Sequence, residues 1–278
     1  MAFDPHKLIS RAPIESRQRL DPTAVILYAL GVGATELPFV YENNLKVLPT
    51  MAATLAYPGF VWKDYDLGAD WRRVLHGETR LVIHAPLPTE GELIGRTSFG
   101  PIFDKGAAKG AVVYQTRTIH DGHGAHIATI VNASFLRSEG GFGGSAEGQP
   151  KPHPLPDRPP DHVVSFKTSP NQALIYRLSG DLNPLHIDPA VAAEAGFPKP
   201  ILHGLASYGI AGRAVLATVC DNEPDRLKRL DVRFASPVFP GETIRTELWY
   251  EDTGCVGFRA TVEERGQIIL NNGYAEIA

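Results

Sequence analysis

One order of segments runs through this chain twice, and that repetition limits its fold more than any other feature. ILYALGVGATELP (26–38) lies over LIYRLSGDLNPLH (174–186), matching Tyr28 with Tyr176 and Leu30 with Leu178. PTMAATLAY (49–57) lies over PILHGLASY (200–208), and APLPTEGELI (85–94) over ASPVFPGETI (235–244). The three pairs begin 148, 151 and 150 residues apart. A nearly constant offset across separate segments marks a duplicated unit, and 278 residues suffice for two modest copies.

Between the copies runs SEGGFGGSAEGQPKPHPLPDRPP (138–160), where glycine followed by proline denies both helix and sheet and predicts an extended, mobile connector. The expected division is an N-terminal repeat over 1–138, a linker over 139–161 and a C-terminal repeat over 162–278. Each repeat reads as an apolar helical stretch, a turn, a second helical stretch and then several strands. Runs such as GAVVYQTRTIHD and CVGFRATVEE alternate apolar with polar residues and end at Gly, Asp or Pro, as antiparallel strands do. LASYGIAGRAVLATV is apolar on nearly every face, so a sheet should surround it. The expectation is an α+β fold in which each copy wraps a curved antiparallel sheet around one long helix.

Composition excludes several classes. With 27 basic and 31 acidic residues, the formal charge of −4 offers no footprint for a nucleic-acid backbone. The longest apolar run, AVILYALGVGA (24–34), falls well short of the ~20 residues a membrane span needs. Two cysteines cannot make a disulfide framework and fit a reducing compartment, and the final EIA is no peroxisomal address. A cytoplasmic protein is expected. Sheet edges that remain open favour a homodimer.

Chemistry concentrates in SGDLNPLHID (179–188). Asp188, followed by Pro189 and AVAAEAGF, reads as a helix cap. Asp181, Asn183 and His186 remain on a stretch that Gly180 and Pro184 break, where backbone can overhang a cavity. The duplication supplies an internal control: Gly33 stands where Asp181 does, and Pro38 where His186 does, so the scaffold needs neither side chain.

Other chemistries fit poorly. A calcium loop would need glycine sixth and glutamate twelfth, where His186 and Ala192 stand. His186 and His203 lie far apart in sequence and Cys220 sits in the apolar helix, so no metal is expected. GLASYG lacks the spacing of a nucleophile elbow, and GVGATE lacks the third glycine of a dinucleotide fingerprint. A carboxylate five residues from an imidazole suits proton transfer through a held water, worth about 10²–10⁴ in rate. Gly204, opening the long helix in LHGLAS, offers a backbone amide to a developing enolate.

YRLSGDLNPLHID followed by PILHGLASYGIAGRAV resembles the hydratase 2 signature of MaoC-like (R)-specific enoyl-CoA hydratases. With its degenerate first half and YALGVGA, the whole chain resembles the hydratase 2 unit of type 2 multifunctional enzymes. The resemblance implies a double hot-dog fold whose N-terminal repeat gave up its dyad to make room for a bulky acyl chain. It implies syn addition of water to a trans-2-enoyl-CoA, giving a (3R)-3-hydroxyacyl-CoA without a cofactor. Asp181 and His186 would position and activate the water, Asn183 would orient them, and the Gly204 amide would bind the thioester oxygen. His76, Gly77, Lys105 and Phe234 match substrate contacts, although by themselves they read as a turn histidine and its neighbour, a surface lysine and strand core. Arg226, Lys228, Arg229 and Arg233 offer charge for CoA phosphates. Dehydration, a branched or sterol-type acyl-CoA, and acyl-CoA binding without turnover are the rival readings. Relatives of this kind lie inside longer chains, so a free-standing enzyme is expected here.

Overall fold

Ten antiparallel strands form one continuous sheet in the computed structural model, which describes residues 3–278. The first repeat supplies β1 (Ile14–Leu20), β2 (Val74–Ile83), β3 (Gly91–Asp104), β4 (Ala111–Asp121) and β5 (His126–Leu136). The second supplies β6 (His162–Lys167), β7 (Leu227–Phe234), β8 (Thr243–Tyr250), β9 (Cys255–Val262) and β10 (Gln267–Ile277). Across the sheet the order is β1-β3-β4-β5-β2-β7-β10-β9-β8-β6, so the second half mirrors the first, as a duplication requires. The halves join where β2 pairs with β7, with Leu81 opposite Leu230 and Glu78 opposite Arg233. Both leucines are fully buried, each contributing about 1.5–3 kcal/mol of transfer free energy.

The inner face of this sheet covers the helix Gly204–Val219, whose residues Ala206 to Leu216 are all buried. Its glycines let the first repeat reach the helix backbone. A methyl group on Gly209 would lie 2.5 Å from Val32 Cγ1, and one on Gly212 would lie 2.5 Å from Thr50 Cγ2. Tyr208 donates its hydroxyl to Leu230 O at 2.9 Å. Arg213, also buried, donates to Val32 O and to Glu36 and lies over the Phe166 ring at 4.3 Å. One hydrophobic core therefore runs through both repeats.

The expectation of a long helix in each copy is corrected in the first. Its counterpart segment forms only a 3-10 turn, Pro49–Ala53. Ala56 takes a φ of 42°, Pro58 follows, and Gly59 takes a φ of 86°, a run that cannot continue a helix. The turn packs against the helix of the second copy on one side and against β2 and β5 on the other, standing between that helix and the first half of the sheet.

The segment 139–161 is irregular, as its composition predicts, but it is tethered rather than loose. Asp104 accepts hydrogen bonds from the amides of Gly106, Gly141, Gly143 and Gly144 at 2.7–3.3 Å. These donors, Gly141 first, hold the Asp104 carboxyl below its ordinary range. Further along, His153 meets Glu251 at 2.8 Å, and Trp249 donates to Arg158 O at 2.8 Å. Asp104→Ala is expected to accelerate limited proteolysis between residues 139 and 148 without exposing 157–161. An unchanged cleavage rate would show that the carboxylate does not fasten this stretch.

Candidate active site

The short helix Gln172–Tyr176 runs into a 3-10 turn and stops at Gly180, whose φ of 117° favours glycine. Asp181 follows on the turned backbone. The Asn183 amide donates to Asp181 Oδ1 at 3.1 Å, while Asn183 Oδ1 caps the next turn by accepting from Leu185 N at 3.1 Å. That turn, Pro184–His186, carries the imidazole. Asn183 thus sets both neighbours, one through its backbone and one through its side chain. Asp188 caps the helix Pro189–Glu194 through Ala190 N, the structural role its sequence suggests.

His186 is buried, and its Nδ1 lies 2.8 Å from Ile201 O. A carbonyl only accepts, so Nδ1 carries the proton and Nε2 keeps a lone pair. His203 stacks on it, ring centroids 3.7 Å apart, and donates Nε2–H to the Asp181 carbonyl at 3.1 Å. Ligand atoms of Asp181, His186 and His203 all lie within 4.8 Å of one another. Distance along the sequence therefore does not keep the two histidines apart, and the argument against metal ligation that rested on it is corrected. His203 is also the functional candidate that the sequence analysis passed over. The internal control could have found it: Ala52 occupies the matching position of the first copy.

Burial depresses the His186 pKa, against the opposing pull of its Ile201 hydrogen bond and of Asp181. His203 is lowered by burial and then by His186, partly offset by Asp181. Both are neutral at pH 7. Their folded-state values lie below the unfolded value of about 6.5, so below that pH the unfolded chain binds protons that the folded chain refuses. Stability is therefore fully present above pH 6.5 and is lost as pH falls toward the folded values. The urea midpoint is expected to drop between pH 6.5 and 5; a level midpoint would contradict the buried neutral pair.

Gly204 opens the long helix directly after His203, and no hydrogen bond to the Gly204 or Leu205 amide occurs among the described residues. Both point from the positive end of the helix. A side chain at Gly204 would lie 3.3 Å from the Phe234 ring, which packs at 4.7 Å against the ring of His76. His76 Nε2 lies 2.8 Å from Thr79 Oγ1 and 3.1 Å from Glu78 O. His76 is an exposed residue of β2, yet the protein packed around its ring holds its pKa down. Gly77 sits in the bulge where the β2–β5 register slips between His76 and Glu78. Both repeats thus converge on one place.

Lys105 stands apart from this group. Its Nζ donates to Ala146 O at 3.0 Å, and it lines a separate cleft of about 390 Å³ with Arg73, Lys109, Arg137 and Phe135. Arg226, Arg229 and Arg233, offered above as phosphate partners, are paired instead with Asp221, Asp231 and Glu78.

At the matching overhang of the first copy, Gly33 lies against polar side chains of the second. Arg213 Nη1 binds Val32 O at 3.0 Å, and Gln172 Nε2 binds Gly31 O at 2.6 Å. That overhang is tied off, so one dyad region remains. There an imidazole lone pair, a carboxylate and free amides face one another, a set suited to holding a small polar molecule and moving its protons.

Known proteins resemble this one over nearly its whole length. Residues 152–272 match the family described as MaoC like domain, and 19–138 match the MFE-2 hydratase 2 N-terminal domain. The Arabidopsis thaliana protein named peroxisomal enoyl-CoA hydratase 2 is 38% identical over 301 residues, covering 99% of this chain and 96% of that one. A solved MaoC-like dehydratase from Phytophthora capsici superposes with a TM-score of 0.92 at 36% identity, covering 99% of both chains. A Mycobacterium tuberculosis protein described as a double hotdog fold matches with a TM-score of 0.60 at 14% identity, covering 96% of each, a likeness of fold alone. No helix among the described residues is long and apolar enough to cross a membrane. A mirrored sheet around one buried helix, a His–Asp turn at its head and likeness along the entire chain all agree: this protein is a member of the MaoC-like hydratase 2 family, with the double hot-dog fold.

Proposed function

We propose that the protein adds water reversibly across trans-2-enoyl-CoA to give (3R)-3-hydroxyacyl-CoA. The observation that carries this reading is the convergence of Asp181 and His186 beside the unengaged Gly204 amide. Asp181 and Nε2 of His186 hold one water between them. As the water oxygen bonds to C3, one of the two takes its proton, and the C2–C3 π pair moves onto the thioester oxygen as an enolate. The Gly204 amide stabilises that charge. A proton then returns to C2 from the same side, so all atoms of one water end on one face. The hydratase 2 name of the Arabidopsis relative supports this substrate class.

Residues 1–138 serve as the substrate-binding half and 162–278 as the catalytic half. His76, Gly77 and Phe234 wall the acyl thioester. Lys105, with Arg73, Lys109 and Arg137, provides a cleft lined by cations without a carboxylate, suited to CoA phosphates. Because the addition is reversible, the same groups perform dehydration when product is supplied. Free Cys220 and Cys255 fit a cytoplasmic setting, and the open edges β1 and β6 fit a homodimer, testable by light scattering. The test of function is loss of the enoyl-thioester absorbance on adding crotonyl-CoA, with product oxidised by an R-specific but not an S-specific dehydrogenase. Binding of CoA esters without turnover, or an S product, would overturn it.

A further inference from the structure

We propose that Asp181, His186 and His203 also form a reversible site for a divalent transition-metal ion of the zinc type, and that the ion blocks hydration. The blocking rests on the function proposed above; the binding does not. Three features support it. The set is two imidazoles and one carboxylate, donors that zinc and its borderline neighbours prefer, with ligand atoms already within 4.8 Å of one another. Zinc ligands at about 2.0–2.1 Å from the metal lie about 3.4 Å apart, so closing the set needs only modest side-chain rotation.

The second feature is protonation. Each imidazole donates one N–H to a backbone carbonyl, His186 to Ile201 and His203 to Asp181. That arrangement fixes the tautomer, leaves the other nitrogen with its lone pair, and is how metal-ligating histidines are oriented. Third, His203 is only 1% exposed, yet its Nδ1 has no hydrogen-bond partner. A buried acceptor left without a donor costs free energy that a bound cation would recover.

The carboxylate and the free His186 nitrogen that would hold the reacting water are the same groups that would ligate the ion. Occupancy by water and substrate therefore excludes occupancy by metal. Asp181, mounted on the turn behind Gly180, is the ligand that admits the ion or releases it.

A second histidine group sets the specificity of the test. His84, His120 and His126 pack with ring centroids 4.2 and 4.9 Å apart, but Nε2 of both His84 and His126 lies 2.9 Å from Thr129 Oγ1.

Chelator-treated full-length protein is titrated with Zn²⁺ by calorimetry, and crotonyl-CoA hydration is followed over the same range. One ion per chain is expected, with inhibition that tracks occupancy and is reversed by EDTA. Loss of an orienting partner alone weakens metal sites about 10–100-fold, so Asp181→Asn and His203→Asn should each weaken binding by about tenfold or more. His84→Ala with His126→Ala should leave it unchanged. Asp181→Asn serves as the check on folding, because that side chain is the least buried of the three. The proposal is overturned by absence of stoichiometric binding, by undiminished binding in both ligand variants, or by its loss in the His84/His126 variant. Zinc binding in a chain that hydrates no enoyl-CoA would sink the proposed function and leave the site; hydration indifferent to saturating zinc would do the reverse.

Discussion

Asp181→Asn lowers turnover of crotonyl-CoA by about 10²–10⁴-fold, the range that a positioned proton-transfer group contributes, while the urea midpoint stays near wild type. The side chain is partly exposed, and the hydrogen bond that places it is the Asn183 amide to Oδ1. An asparagine oxygen accepts that bond equally well, so the turn should hold. What the amide cannot do is accept a proton or carry charge beside His186. Activity within threefold of wild type would remove Asp181 from the reaction. Lost activity with a collapsed midpoint would mean that the variant misfolded, and His186→Gln then carries the same test.

Gly209→Leu destabilises the protein by about 3 kcal/mol, the upper part of the range for inserting bulk into a packed core. Its first added carbon would already lie 2.5 Å from Val32 Cγ1 and 2.9 Å from Tyr28 Oη. Val32 and Tyr28 are themselves almost wholly buried, so neither has room to retreat. Ala217→Leu, at an exposed position of the same helix, should change the urea midpoint little. Equal effects at the two positions would show that the helix does not press on the first repeat through its glycine face. Because this helix also carries Gly204 and follows His203, loosening it should cost activity as well as stability.

Both predictions depend on the duplication, which was legible in the sequence because aligned segments kept their spacing. The mirrored strand order follows directly: each repeat builds the same five strands, and the two sets meet at corresponding edges, β2 against β7. The absence of the long second helix from the first copy was harder to read. AATLAY resembles GLASY in composition, and the apolar pattern hid the stop signal at Pro58 and Gly59. That Val32 and Thr50 close on the second copy's helix, at Gly209 and Gly212 respectively, is a tertiary fact, since each comes from a distant position. The His–Asp turn was legible because the first copy lacks it, and His203 would have been legible by the same comparison with Ala52. The contact of His76 with Phe234 was not, because it depends on the pairing of β2 with β7. The tether at Asp104 was equally hidden, since glycine amides leave no side-chain signal in a sequence.

The most direct test of the account is to hydrate trans-2-enoyl-CoA in deuterium oxide and determine the relative configuration at C2 and C3 by NMR. A single water held by two groups on one face delivers deuterium and oxygen to the same side, so one diastereomer, the syn adduct with R configuration at C3, is expected. An anti adduct, or a mixture at C2, would show that proton and oxygen come from different places and would contradict the paired roles of Asp181 and His186.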